Sequence, residues 1–229
     1  MTKYILSYGG GVDSTALLLY LLDKDMPLDA VVHAIMPDLP ETHEYIAFID
    51  RWLWKNYGME VTYLIPHAEG TTSLLEYVLK KKFAPSKAWR WCTDKFKVRP
   101  ITKWVKEHYG NDAVEYIAIN ADEKRRVKWE RNKYGIRLKY PLVEAGIGRS
   151  EAKLIIKKHG LPVPPKSGCY ICPFRNKTRL MAAKRYPCIW AQIKMVEALP
   201  GSKHPNAIAH FTTEVEGQGT LESFISLQY

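Results

Sequence analysis

Lys3-Tyr4-Ile5-Leu6-Ser7-Tyr8-Gly9-Gly10-Gly11-Val12-Asp13-Ser14-Thr15, followed by the apolar run from Ala16 to Leu22, reads as strand, turn and helix in direct succession. Lys3–Ser7 has the composition of a short buried strand, and Asp13, Ser14 and Thr15 are residue types that open helices. Consecutive glycines reach backbone angles closed to other residues, so the N–H groups of Gly9, Gly10 and Gly11 can converge on an anion. The helix start adds unsatisfied N–H groups and partial positive charge at the same spot. The Ser14 and Thr15 hydroxyls can add further bonds to phosphate. Asp13 is the odd member: a carboxylate beside phosphate is repelled unless a cation lies between them, which points to Mg2+ or to a simple helix cap. The loop lacks the lysine of GxxxxGK(S/T) and the last glycine of GxGxxG, so two familiar nucleotide loops do not fit.

Outward from this loop, strands are expected at 28–36, 61–65 and 113–120. Helices are expected at 41–57 with Gly58 as its stop, near 73–82, and at 96–109 stopped by Gly110. Strands alternating with helices at this rhythm predict an α/β fold, a parallel sheet with crossover helices. Beyond Pro141 the pattern changes. An amphipathic helix is expected at 150–159, three prolines within 162–165 exclude regular structure, and helices are expected at 178–185 and 189–199. The expected division is a nucleotide-binding domain over 1–145 and a smaller helical, cysteine-bearing segment over 146–229.

The chain has 229 residues, 46% hydrophobic and 25% charged, which disfavours disordered and fibrous classes. It has no apolar run of the roughly 20 residues a membrane helix needs, so a cytoplasmic protein with no membrane partner is expected. Net charge is +10, and its distribution is uneven. Residues 80–139 hold 18 basic and 7 acidic residues, a balance of +11, which leaves −1 for the remainder. That asymmetry points to a polyanion, either a nucleic acid or a ligand with several phosphates. Trp89, Arg90 and Trp91 alternate aromatic and cationic groups within this block, which suits base stacking plus phosphate pairing. Arg125 and Arg126 follow a strand at the carboxyl end of the sheet and can clamp phosphate or sulfate bidentately.

The motifs together resemble the PP-loop ATP pyrophosphatase (adenine nucleotide α-hydrolase) superfamily, whose usual loop is SGGxDS. Gly9 stands at the serine position, while Gly10, Gly11, Asp13 and Ser14 match, and Ser7 offers a hydroxyl two residues upstream. Pro40-Glu41-Thr42, Arg90-Trp91-Cys92-Thr93 with Lys97 and Arg99-Pro100, and Ala121-Asp122-Glu123 with Arg126 are similar to segments of the phosphoadenylyl-sulfate (PAPS) reductase branch. So are Tyr140-Pro141-Leu142 and Pro164-Pro165-Lys166-Ser167-Gly168-Cys169. The resemblance implies ATP on residues Ser7, Gly9–Thr15, Glu41 and Thr42, with Asp13, Ser14 and Arg125 in catalysis. It also implies substrate or phosphate contacts from Arg90, Lys97, Arg99, Arg125 and Arg126. The C-terminal ECGIH-like cysteine of true reductases has no counterpart, because no cysteine follows Cys188.

Four cysteines are too few for a disulfide scaffold. Cys169 and Cys172 form a CxxC on an irregular segment, and Cys92 and Cys188 complete four metal ligands. Sulfur-handling PP-loop relatives, including DNA phosphorothioation enzymes, combine the R-x-C-T and CxxC elements with an iron–sulfur cluster. A 4Fe-4S cluster, structural Zn2+ and a redox pair or unliganded thiols all remain open, with the cluster as the leading reading. The function expected is adenylation of a substrate, with nucleic acid among the candidates, for sulfur transfer or a related modification, and a sulfur donor protein is among the candidate partners. Two alternatives stand: a phosphoadenylyl- or adenylyl-sulfate reductase, and a binding module without catalysis.

Overall fold

The computed structural model describes residues 1–87, 89–127, 130–174 and 177–199. In chain order the elements are β1 (Lys3–Ser7), α1 (Val12–Asp23), β2 (Ala30–Ala34), α2 (Pro40–Tyr57), β3 (Val61–Leu64), α3 (Leu74–Lys81) and α4 (Trp91–Thr93). A π-turn at Asp94–Val98 leads into α5 (Arg99–Tyr109), then β4 (Ala113–Tyr116), a 3-10 turn (Ala121–Arg126), β5 (Arg137–Lys139), α6 (Pro141–Glu144) and α7 (Arg149–Lys158). Helices α8 (Lys177–Lys184) and α9 (Pro187–Glu197) follow.

The chain forms two compact units, and both are discontinuous. One holds Met1–Pro66 and Lys97–Gly168; the other holds His67–Phe96 and the described residues from Cys169 onward. Thus 146–168 belongs with the sheet, and the cysteine-bearing unit draws in 67–96 from the middle of the chain.

The first unit is an α/β structure with one parallel sheet of strand order β3-β2-β1-β4-β5. Its strands β2 and β4 are buried along their whole length, so they read as near-continuous apolar runs, whereas the edge strands β3 and β5 are partly exposed. On one face Leu6, Val31, Val61 and Tyr116 pack with Leu17, Leu18 and Leu21 of α1, Ile46 and Ile49 of α2, and Ala152 and Ile156 of α7. On the other, Ile5, Val32, Ala34 and Ala113 meet Ile101 and Val105 of α5. Trp104 is half-buried on that side and stacks on His108 at 4.3 Å, as expected of a core-lining residue. Gly58 closes α2 at φ 63°, the left-handed stop the sequence predicts.

The fifth strand is a finding that periodicity did not predict. Arg137–Lys139 is three residues long, carries charge at both ends and pairs with β4 from the sheet edge. The expected strand 113–120 ends at Tyr116. The Ile117 N–H still donates to the Lys139 carbonyl of β5 at 2.9 Å, and residues 118–120 then lead into the 3-10 turn. No helix among the described residues is long and apolar enough to cross a membrane.

Candidate functional site

In this strand order the direction of winding reverses between β1 and β4. Ligands of open parallel sheets bind outside the carboxyl ends of the strands at such a point. The loops that leave these two strands are the glycine loop and the segment entering the 3-10 turn.

The glycine loop is shaped by close packing from two sides. Gly10 adopts φ +66°, and a Cβ there would stand 2.5 Å from Ile46 Cγ1 and 3.4 Å from Thr42 Cγ2. A Cβ on Gly11 would collide with the Ser167 hydroxyl. The first turn of α2, with Glu41 and Thr42, and the end of the proline segment therefore both close on the loop, joining three sequence motifs in one place. Ser14 Oγ donates to the Gly11 carbonyl and accepts from the Gly11 N–H, each at 3.1 Å, locking the turn. The first N–H groups of α1 have no intrahelical acceptor and open onto this turn. Gly9 has room: the nearest heavy atom to a Cβ there is Ser14 Oγ at 3.8 Å.

Two predicted hydroxyls are engaged elsewhere. Thr15 is fully buried, with its Oγ1 3.1 Å from the Tyr8 hydroxyl. Ser7 Oγ donates to the carboxyl of Glu115 on β4. Glu115 is buried in the sheet, and burial pushes its carboxyl above the ordinary range, against the bonds from Ser7 and Asn132.

Asp13 Oδ1 accepts from Asn120 Nδ2 at 3.1 Å, and Asp13 Oδ2 pairs with Arg149 Nη1 at 2.6 Å. Asn120 is buried, and its Oδ1 caps the 3-10 turn by accepting from the Glu123 N–H at 3.2 Å. Arg149 is held at its backbone as well, where its N–H donates to Asp122 Oδ2 at 2.7 Å. The cation beside Asp13 is thus a guanidinium from the chain itself. Arg149 and Asn120 carry no motif signal: Asn120 ends the expected strand 113–120, and Arg149 immediately precedes the expected helix 150–159.

The remaining basic residues are more dispersed. Arg125 and Arg126 lie exposed on the 3-10 turn, and Arg126 pairs with Glu123. Arg99 Nε donates to the Tyr134 hydroxyl at 3.1 Å. Lys97 is close enough to depress the buried His33, whose imidazole is lowered mainly by burial. His33 Nδ1 contacts the Tyr8 carbonyl at 2.9 Å, at the entrance to the glycine loop. Lys128 and Trp129 of the basic block lie outside the described residues.

The second unit contains Arg90 and all four cysteines. None of the four is in a disulfide. The Cys172 N–H donates to the Cys169 carbonyl at 3.1 Å, folding the CxxC into a tight turn. Cys92 lies near this turn: its thiol is raised by burial first and then by the charge of Cys172. Cys188 is exposed on the first turn of α9. Among the described residues no three His, Cys, Asp or Glu side chains come close enough to hold a metal ion. The four cysteines therefore do not form a ready-made metal or cluster site in this conformation.

No protein-family model matches the chain, and no curated protein does. Among solved structures it is similar to the U34-tRNA thiolase NcsA from Methanococcus maripaludis with its 4Fe-4S cluster. The two share 16% identity at a TM-score of 0.45, over 96% of this chain and 76% of that one.

Proposed function

We propose that this chain is an ATP-using enzyme of the PP-loop type, which adenylates its substrate in readiness for sulfur transfer or a related substitution. The observation that carries the reading is the meeting of Asp13 and Asn120, 3.1 Å apart, where the loops after β1 and β4 join at the sheet's reversal point. The triphosphate lies on the amides of Gly9–Ser14. Arg149 and Arg125 face it with positive charge. Both oxygens of Asp13 are engaged by Asn120 and Arg149, so Mg2+ brought in with the nucleotide would be held by phosphate oxygens and would supply further charge neutralisation there.

A substrate oxygen attacks the α-phosphorus, the bond from that phosphorus to the bridging oxygen breaks, and pyrophosphate leaves with the electron pair. The chain's own contribution is alignment and electrostatic stabilisation of the departing charge by amides and guanidinium groups. A nucleic acid is the substrate class that the basic block favours, and a sulfur-donor protein would supply the second reactant. Purified protein should release pyrophosphate from ATP in the presence of the right substrate, and Asp13→Ala should abolish that release. Failure to bind ATP at all would defeat the proposal.

Gly9 favours a second reading, a nucleotide-binding module without turnover, because the usual serine hydroxyl is missing there. The open space at Gly9 makes this testable. Gly9→Ser should fold normally and raise turnover if the hydroxyl is what the chemistry lacks.

A further inference from the structure

We propose that the second unit carries a stacking platform for unpaired nucleobases, so that the nucleic acid it takes is single-stranded. The inference rests on the function above only for the choice of a nucleic acid.

Among the described residues of this unit, three large aromatic side chains are left in water: Phe83 at 42% exposure, Trp89 at 64% and Phe174 at 56%. Phe83 contacts Trp89 edge-on at 6.1 Å and leans on the buried Trp91 at 5.4 Å. Trp91 is itself packed against Tyr77 at 5.5 Å, so the exposed rings stand on a fixed base. Arg90, the next residue after Trp89, lays its guanidinium over the Phe174 ring at 5.7 Å. Rings of this size are normally buried, and a group of them at the surface marks a binding site.

Charge selects the partner. Residues 80–90 hold five basic side chains, Lys80, Lys81, Lys82, Lys87 and Arg90, and no acidic one. Glu69 pairs with Lys81 at 2.8 Å and with Lys95 at 2.6 Å, while Lys80 and Lys82 are exposed beside them. Exposed rings within a cationic field suit a polyanion with free flat faces. Single-stranded nucleic acid has such faces, whereas a duplex keeps its bases stacked on one another.

The test is equilibrium binding to the full chain, without ATP, of a labelled 12-nucleotide oligo-dT, an oligo-U of equal length, a duplex of equal length, and inorganic polyphosphate. Both single strands should bind at least tenfold more tightly than the duplex or polyphosphate. Trp89→Ala and Phe174→Ala should each weaken single-strand binding roughly 5- to 100-fold with an unchanged salt slope. Lys80→Gln with Lys82→Gln should flatten the salt slope instead. Trp89→Phe should retain most of the affinity, showing that a ring is required at that position. Equal binding of duplex or polyphosphate, or wild-type affinity in both alanine variants with circular dichroism unchanged, would overturn the platform. Loss of the platform with intact pyrophosphate release would leave the adenylation reading standing. Single-strand binding without any ATP turnover would do the reverse.

Discussion

Arg149 Nη1 lies 2.6 Å from Asp13 Oδ2, so the first turn of α7 is clasped to the first turn of α1 across 136 residues of chain. The pair neutralises the carboxylate of the glycine loop, and in the proposed function the remaining guanidinium N–H groups serve a phosphate. Arg149→Ala should weaken ATP binding about 10- to 100-fold, the worth of a hydrogen bond to a charged group. Because the Arg149 side chain is 41% exposed, stability should fall by less than about 1 kcal/mol. Calorimetric titration with ATP beside a denaturant curve separates the two effects.

Gly10 and Gly9 are adjacent but should respond oppositely to the same substitution. At Gly10 an alanine meets both a left-handed backbone and Ile46 at 2.5 Å, which together should cost roughly 2–5 kcal/mol and distort the loop. At Gly9 the nearest atom is 3.8 Å away, so alanine should change stability by less than about 1 kcal/mol. Denaturant midpoints of the two variants check this directly.

Glu115 should make the protein lose stability as pH rises. Its folded carboxyl is raised by burial, so the folded state holds a proton that the unfolded chain releases from about pH 4.5 upward. The contribution of the protonated form is complete below that pH and is lost as pH climbs through the folded value. Glu115→Gln keeps a neutral group of the same shape between Ser7 and Asn132. The variant should therefore gain on the wild type between pH 5 and pH 8 and show a flatter stability profile. Equal slopes for both proteins would contradict the assignment.

Cys188 is exposed, whereas Cys169 is buried and the Cys92 thiol is raised by burial. A maleimide at neutral pH should label Cys188 first, and Cys188→Ser should remove the fast phase while leaving the slow ones. Mass spectrometry of brief digests locates the label. Protection of Cys188 in anaerobically purified, iron-containing protein, with labelling restored by chelation, would show that all four sulfurs gather when metal is present.

Local chemistry made much of the first unit legible. Apolar strands bounded by glycine and proline, and helices with glycine stops, depend on neighbours close in sequence, and their positions agree with the structure to within a few residues. The edge strand Arg137–Lys139 escaped because an edge of three residues needs few apolar side chains. The glycine turn was readable for the same local reason: three successive glycines before a helix admit backbone angles closed to other residues and so mark a turn.

The sequence by itself determined the parallel α/β plan and the glycine turn after the first strand. Tertiary structure alone decided which side chains reach that turn. Thr15, adjacent in sequence, is buried against Tyr8, while Arg149 and Asn120, more than 100 residues away, take both oxygens of Asp13. It also decided that Trp89 is exposed while Trp91, two residues on, is buried. Strand order and helix packing set such contacts, and these depend on burying apolar faces across the whole chain rather than on any motif within it.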